Sequence, residues 1–254
     1  MKNTQFRDLS LIPLSNDDLL VIACDCSAGI GEKQADMVAV DTAIMAAYSL
    51  RVPLMELISF GAQPIAVVDT IGNEMVPTGQ RAIKGIKSEL AKASLSGLPL
   101  NGSTEDNMVT KTTSVGVTVI GRIAKKNLPS INSDDLTIFQ LGIPYVGETV
   151  KQHLNDIFSY DIVRQIKCDP AVIDMLPVGS KGIQYEADQM AATHGLALKK
   201  PTQWDDVKMK QSAGPATVLL AGVETSQADN FQKRFQGLKP IALLVKTCGQ
   251  KLSR

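Results

Sequence analysis

Leu54–Ile71 reads LMELISFGAQPIAVVDTI, and the change of pattern inside it decides the fold. Its first half continues an apolar run that begins at Asp41 or Thr42, either of which can cap a helix running towards Phe60. Gly61 is a natural stop, because glycine enters the left-handed region without a Cβ penalty. Pro53 lacks an amide donor, so it predicts a kink in that helix or a break into two. Past Gly61 the pattern shortens. Pro64–Ile71 (PIAVVDTI) is a brief β-branched run, the signature of a buried strand.

The same alternation extends outward. Leu19–Ala23 (LLVIA) reads as a strand set off by the polar turn Ser15–Asp18. Thr78–Ser96 reads as an amphipathic helix with Ile83, Ile86 and Leu90 on one face, ended by Gly97 and Pro99. Thr112–Ile123 is a β-branched strand. The order β-α-β-α-β is about what one α+β domain needs. Polar, proline-containing Lys125–Asp135 marks a boundary, giving domains of residues 1–126 and 134–254. In the second half, strands are expected at Leu136–Leu141, Ala216–Val223 and Pro240–Lys246. Helices are expected near Thr149–Phe158, Asp161–Ile166, Gly182–His194 and Gln227–Phe235. The predicted class is α+β, two domains, each a sheet with helices on one face.

Composition narrows the function. Lys plus Arg and Asp plus Glu both number 26, so no global field favours nucleic acid or an anionic membrane. Aromatics make up 4%, too few for base-stacking platforms. The start MKNTQFRDLS has no apolar stretch after its first charges, and the apolar runs elsewhere are short and interrupted. A signal peptide and a membrane span are therefore not expected. Cys24 and Cys26 are too close for an ordinary bridge, and Cys168 and Cys248 are isolated, so reduced thiols in a cytoplasmic protein are expected. Gly29–Gln34 (GIGEKQ) opens like a dinucleotide fingerprint but has Gln34 at the third glycine, and no Walker A sequence exists. His153 and His194 are far apart without ligand-spaced neighbours, which disfavours zinc. No serine lies in a nucleophile elbow.

Three acids stand among apolar residues: Asp25 in CDC, Glu56 in LMELI and Asp69 in VVDTI. Strand alternation turns Asp25 away from the side of Cys24 and Cys26. A buried carboxylate is costly, so each must be paired, protonated, metal-bound or exposed. For any one of them a salt bridge or strand-end exposure is the plainer reading, but three in one domain suit a metal. Asn101–Asp106 (NGSTED) reads as a polar loop with two carboxylates. Ser27–Lys33 (SAGIGEK) offers a glycine turn and a cation, and Val178–Gly182 (VGSKG) precedes a helix and is an anion site or an ordinary cap. Magnesium would reconcile such acids with a polyphosphate, and phosphoryl transfer needs positioning and charge neutralisation more than a nucleophile.

The order of these motifs resembles the aminoimidazole ribonucleotide synthetase superfamily, with its relatives thiamine-monophosphate kinase, selenophosphate synthetase and the hydrogenase maturation factor. Leu54–Pro64 carries most of the likeness. Met55 and Glu56 stand at the family's asparagine-aspartate, and Gly61, Ala62 and Pro64 match its turn. Asp25 sits like the aspartate ending the family's first strand, and Asn101–Thr104 (NGST) replaces a glycine-glycine-acid-threonine loop. Arg7 and Asp8 lie where the kinases carry an aspartate pair. Gly179–Ala192 and Ser212–Pro215 (SAGP) resemble the family's C-terminal helix and the turn before its next strand. Ser103 stands where relatives have the loop acid, and Ser180 and Lys181 where they often have aspartate and glycine. Within the superfamily, CDCSAGIGEK, VVDTIGNEMVPTG, LNGSTEDN and GIPYVGE look most like the α-ribazole kinases of corrinoid salvage.

The resemblance implies a kinase transferring the ATP γ-phosphate to the ribose 5′-hydroxyl of α-ribazole. It also implies a homodimer whose N-terminal sheets pair, with ATP in the cleft between subunits. On this reading Asp25, Glu56 and Glu105 or Asp106 hold magnesium, and Asp25 and Glu56 are catalytic. Asp8, Gly29, Gly31 and Lys33 hold the ATP phosphates, and Asn101, Ser103, Ser180 and Lys181 line the acceptor side. The alternatives are a thiamine-monophosphate kinase-like enzyme and a non-catalytic nucleotide-binding regulator.

Overall fold

The computed structural model describes residues 4–129, 131 and 134–246. The chain forms two compact units. The first comprises residues 1–128, 146–155 and 159–163, and the second residues 129–145, 156–158 and 164–254. Residues 146–155 and 159–163, assigned to the second domain from sequence, thus cluster with the first unit.

The first unit contains β1 (Thr4–Phe6), β2 (Leu9–Pro13), β3 (Asp18–Ala28), β4 (Ile30–Gly31), β5 (Val38–Ala39), α1 (Thr42–Phe60), β6 (Gln63–Ile71), α2 (Gln80–Lys92), β7 (Leu100–Thr104) and β8 (Ser114–Ala124). Its six-stranded sheet has the order β1-β2-β3-β8-β6-β7, antiparallel except for the β6–β7 pair. Helices α1 and α2 pack on each other, and α1 lies on β3 and β8. Alternation decides which face is covered. Val21, Ala23, Val67, Val115, Val117 and Val119 are buried, whereas Cys24 and Cys26 are exposed.

Helix α1 begins and ends as its sequence predicts. The Asp41 side chain accepts from the Ala43 amide at 2.7 Å, and left-handed Gly61 donates to the Leu57 and Ile58 carbonyls. Pro53 does not divide it: one helix runs through, with Pro53 and its neighbours buried. By length and composition this helix is apolar enough to cross a membrane, but 72% of the qualifying window is buried inside the protein, as a core helix requires. Helix α2 is shorter than Thr78–Ser96, because a wide π turn at Met75–Gly79 precedes it and Ser94 takes a positive φ just beyond it. The short helix α3 (Glu148–Gln152) replaces the longer helix expected over Thr149–Phe158. Helix α4 covers Tyr160–Lys167.

The second unit contains β9 (Leu136–Gly142), β10 (Val172–Pro177), α5 (Gly182–His194), β11 (Leu196–Lys199), α6 (Asp206–Met209), β12 (Val218–Glu224), α7 (Ala228–Arg234) and β13 (Lys239–Lys246). Its sheet is antiparallel, in the order β10-β12-β9-β13-β11. Ile183, Ala187 and Met190 of α5 join Leu136, Ile138, Val218, Leu220 and Leu244 of the sheet in one apolar core. Buried Asp174 and His194 pair at 3.0 Å in this unit.

Candidate functional site

The first sheet carries a row of paired residues, Asp25–Val117–Asp69–Gly102, one each on β3, β8, β6 and β7. Directly paired residues share a face, so both aspartates point to the helix side, with their Cα atoms about 10 Å apart across Val117. Ser27, two residues beyond Asp25 on the same face, confirms that side by accepting a 2.8 Å hydrogen bond from the Ser49 hydroxyl of α1. Asp25 is half-buried. Burial pushes its carboxyl up, and a backbone hydrogen bond from Cys26 partly offsets this.

Asp69 is only 3% exposed, and burial alone raises its carboxyl above the usual range. It lines a cleft of about 490 Å³ with Met75, Ile83, Lys87, Leu100, Asn101, Gly102, Ser103 and Thr104. The stretch Asn101–Thr104 is thus no loop. It belongs to β7, the edge strand, whose register brings Gly102 beside Asp69 and Ser103 beside Thr70. Of the expected acceptor-side residues, the cleft unites Asn101 and Ser103. Ser180 and Lys181 lie exposed ahead of α5 in the second unit, where the Lys181 ammonium stands 4.2 Å from the Tyr185 ring centroid.

The glycine turn is held largely by its own side chains. Asp36 accepts from the Lys33 amide, the Thr113 amide and the Thr113 hydroxyl at 2.7–2.8 Å. Gly29 and Gly31 take positive φ, and a Cβ on Gly31 would meet Thr113 Oγ1 at 2.3 Å. Lys33 Nζ donates to Glu74 at 2.7 Å, and Thr78 donates to the same carboxylate. Burial would raise the Glu74 carboxyl, but Lys33 and Thr78 outweigh it and bring it to about 2. The cation expected to hold phosphate is therefore engaged by an acid that the sequence reading passed over. Asp8 is exposed in the turn between β1 and β2.

The four expected metal residues do not form a cage. Among the described residues no group of three or more His, Cys, Asp or Glu could hold an ion. Asp106 accepts from the Met75 amide and the Thr104 hydroxyl, which hold its carboxyl low, and Glu105 accepts from the Asn107 amide. Both close the turn after β7. Glu56 is half-buried in the last turns of α1. Magnesium commonly takes only one or two protein carboxylates and completes its shell with phosphate and water. Asp25, half-buried on the helix side of the sheet and without an ion pair among the described residues, fits that lesser demand.

No family model matches the sequence, and no curated protein matches it. Solved structures do match. AaThiL complexed with AMPPCP and TMP superposes with TM-score 0.66 at 12% identity, over 94% of this chain and 85% of that one. Thiamine-monophosphate kinase from Stenotrophomonas maltophilia K279a gives TM-score 0.60 at 13% identity, over 94% and 87%. T. maritima PurL complexed with ATP gives 0.61 at 12% identity, over 93% of this chain but 42% of the longer one.

Proposed function

The chain has the α+β fold of these proteins across nearly its whole length, and we propose that it also shares an ATP-dependent chemistry with them. On this reading it is a magnesium-dependent kinase of the aminoimidazole ribonucleotide synthetase-like superfamily. It phosphorylates the ribose 5′-hydroxyl of α-ribazole to α-ribazole 5′-phosphate, in the cytoplasm, as a homodimer. The observation that carries the kinase reading is the fold likeness to thiamine-monophosphate kinases, one bound to AMPPCP, joined to a polar cleft of small-molecule size on the first sheet. The choice of α-ribazole rests on the sequence resemblance alone. The dimer is supported by the sheet face opposite the helices, where Ile22, Val68 and Ile120 remain half-buried and Cys24 and Cys26 exposed.

Magnesium would arrive with the nucleotide, held by Asp25 and a second carboxylate such as Glu56, and would neutralise phosphate charge. The chain's own contribution is to orient the acceptor hydroxyl and exclude water around it. The thiamine-monophosphate kinase-like reading is favoured by those same structural neighbours, so one experiment should separate the two. The purified protein is incubated with ATP, magnesium, and either α-ribazole or thiamine monophosphate, and products are weighed by mass spectrometry. A phosphorylated α-ribazole supports the proposal, and phosphate added only to thiamine monophosphate moves the assignment. AMPPCP binding without turnover of either would mark a regulator. Glu56→Gln should abolish turnover and keep the fold, and normal turnover by that variant would sink the metal assignment.

A further inference from the structure

Of the three acids that stand among apolar residues, Asp69 is the one outside the proposed magnesium site. It is also the most deeply placed, at 3% exposure. Among the described residues neither of its oxygens has a hydrogen-bond or ion-pair partner, and its only perturbation is burial itself. A carboxylate buried without an internal partner is unfavourable unless a group from outside completes it. The site is built around this side chain. Gly102 leaves the space it fills, since a Cβ there would meet Asp69 Oδ1 at 2.2 Å and Cγ at 2.4 Å. The carboxylate lines the cleft together with the edge strand β7, whose Leu100, Gly102 and Thr104 share its face, and with Ile83 and Leu100 as apolar wall and Lys87 exposed on α2.

We propose that Asp69 receives a hydrogen-bond donor, a hydroxyl or an amine, from the nucleoside-like acceptor bound in this cleft. The inference rests on the small-molecule kinase reading for the existence of an acceptor. The chemistry of the lining selects its class. A carboxylate in the cleft repels phosphate and attracts the hydroxyl and amine donors of a nucleoside, and the apolar wall of Ile83 and Leu100 takes the flat face of a base.

The test is calorimetric titration of the full chain with α-ribazole, adenosine, and the 2′-, 3′- and 5′-deoxy forms of adenosine. AMPPCP is titrated in parallel, into wild type, Asp69→Asn and Asp69→Ala. A single hydrogen bond to a charged acceptor predicts about a tenfold to hundredfold loss of nucleoside affinity in Asp69→Ala, with AMPPCP binding unchanged. One deoxy form should lose as much with wild type and nothing further with Asp69→Ala. Equal nucleoside affinity in wild type and both variants overturns the inference, as does the absence of nucleoside binding to wild type. Failure of AMPPCP to bind wild type, with the Asp69-dependent nucleoside loss intact, sinks the kinase reading and keeps the site. Asp69→Asn removes a buried charge, so its melting point should hold or rise. This separates lost binding from lost fold.

Discussion

Replacing Gly102 with alanine tests the geometry of the cleft without knowledge of any ligand. The added methyl would lie 2.2–2.7 Å from three atoms of the Asp69 carboxylate. Asp69 is buried against the sheet and can withdraw only by leaving its rotamer, at about 0.5–1.5 kcal/mol, within a typical overpacking cost of about 1–3 kcal/mol. Against this, alanine gains about 0.5–1 kcal/mol over glycine in a strand. Gly102→Ala should therefore destabilise by about 1–2 kcal/mol. In an Asp69→Ala background the methyl finds space, and the same substitution should be neutral or stabilising by about 0.5 kcal/mol. The coupling between the two positions is then about 2 kcal/mol, measurable as shifted midpoints in urea denaturation of the four proteins. Gly102→Ala effects that agree within about 0.3 kcal/mol in both backgrounds would refute the contact.

Gly85→Ala should destabilise by about 2 kcal/mol despite a helix-propensity gain of about 1 kcal/mol, because its Cβ would lie 1.9 Å from the Ala43 carbonyl oxygen and force α1 and α2 apart. Thermal melts should show a drop of several degrees, against none for Gly97→Ala, which meets nothing within 4 Å. Glu74 has a folded pKa of about 2 against an ordinary 4.5, so its pairing stabilises fully above pH 4.5 and is lost as pH falls towards 2. Partial exposure reduces that contribution to about 1 kcal/mol. The stability gap between wild type and Glu74→Gln should close across this window, and a gap that persists at pH 2 would contradict the pairing. Tyr160→Phe removes the hydroxyl that donates to buried Glu89 at 2.8 Å, beside Arg51, and should cost about 1–3 kcal/mol in urea denaturation.

Much of the fold was legible because apolar spacing and terminal residues state it twice. Asp41 and Gly61 both bound α1, and the β-branched runs of β6 and β8 could form little else. Strands β10 and β11 were not expected either, and three of the other missed strands have a plain reason. β7 is an edge strand of Leu-Asn-Gly-Ser-Thr with its middle three residues exposed, so its composition imitates a loop. β1 and β2 are short, with exposed alternate positions. Pro53 misled in the other direction, since its burial inside α1 holds a helix that local propensity would divide. The site was less legible. Asp69 stands out among apolar neighbours without a spacing that assigns it a role, and nothing local marks Glu74, whose partner Lys33 lies far off in sequence.

The contrast between Lys33 and Asp69 sharpens how such a site is recognised. Residue type and spacing nominated the glycine turn, the two acids after β7 and Lys33, yet each of these side-chain groups is satisfied within the protein. Asp36 closes the turn on Thr113, Asp106 and Glu105 cap the chain after β7, and Glu74 holds Lys33. A group already satisfied must give up its partner to bind a ligand, and that loss subtracts from affinity. Asp69 gives up no protein partner to bind a ligand donor, because among the described residues it makes no hydrogen bond or ion pair. Strand pairing places that carboxylate beside a glycine with no side chain to compete for the space. The position where the protein leaves a polar group incomplete therefore carries more information about its ligand than the positions where polar groups are most numerous.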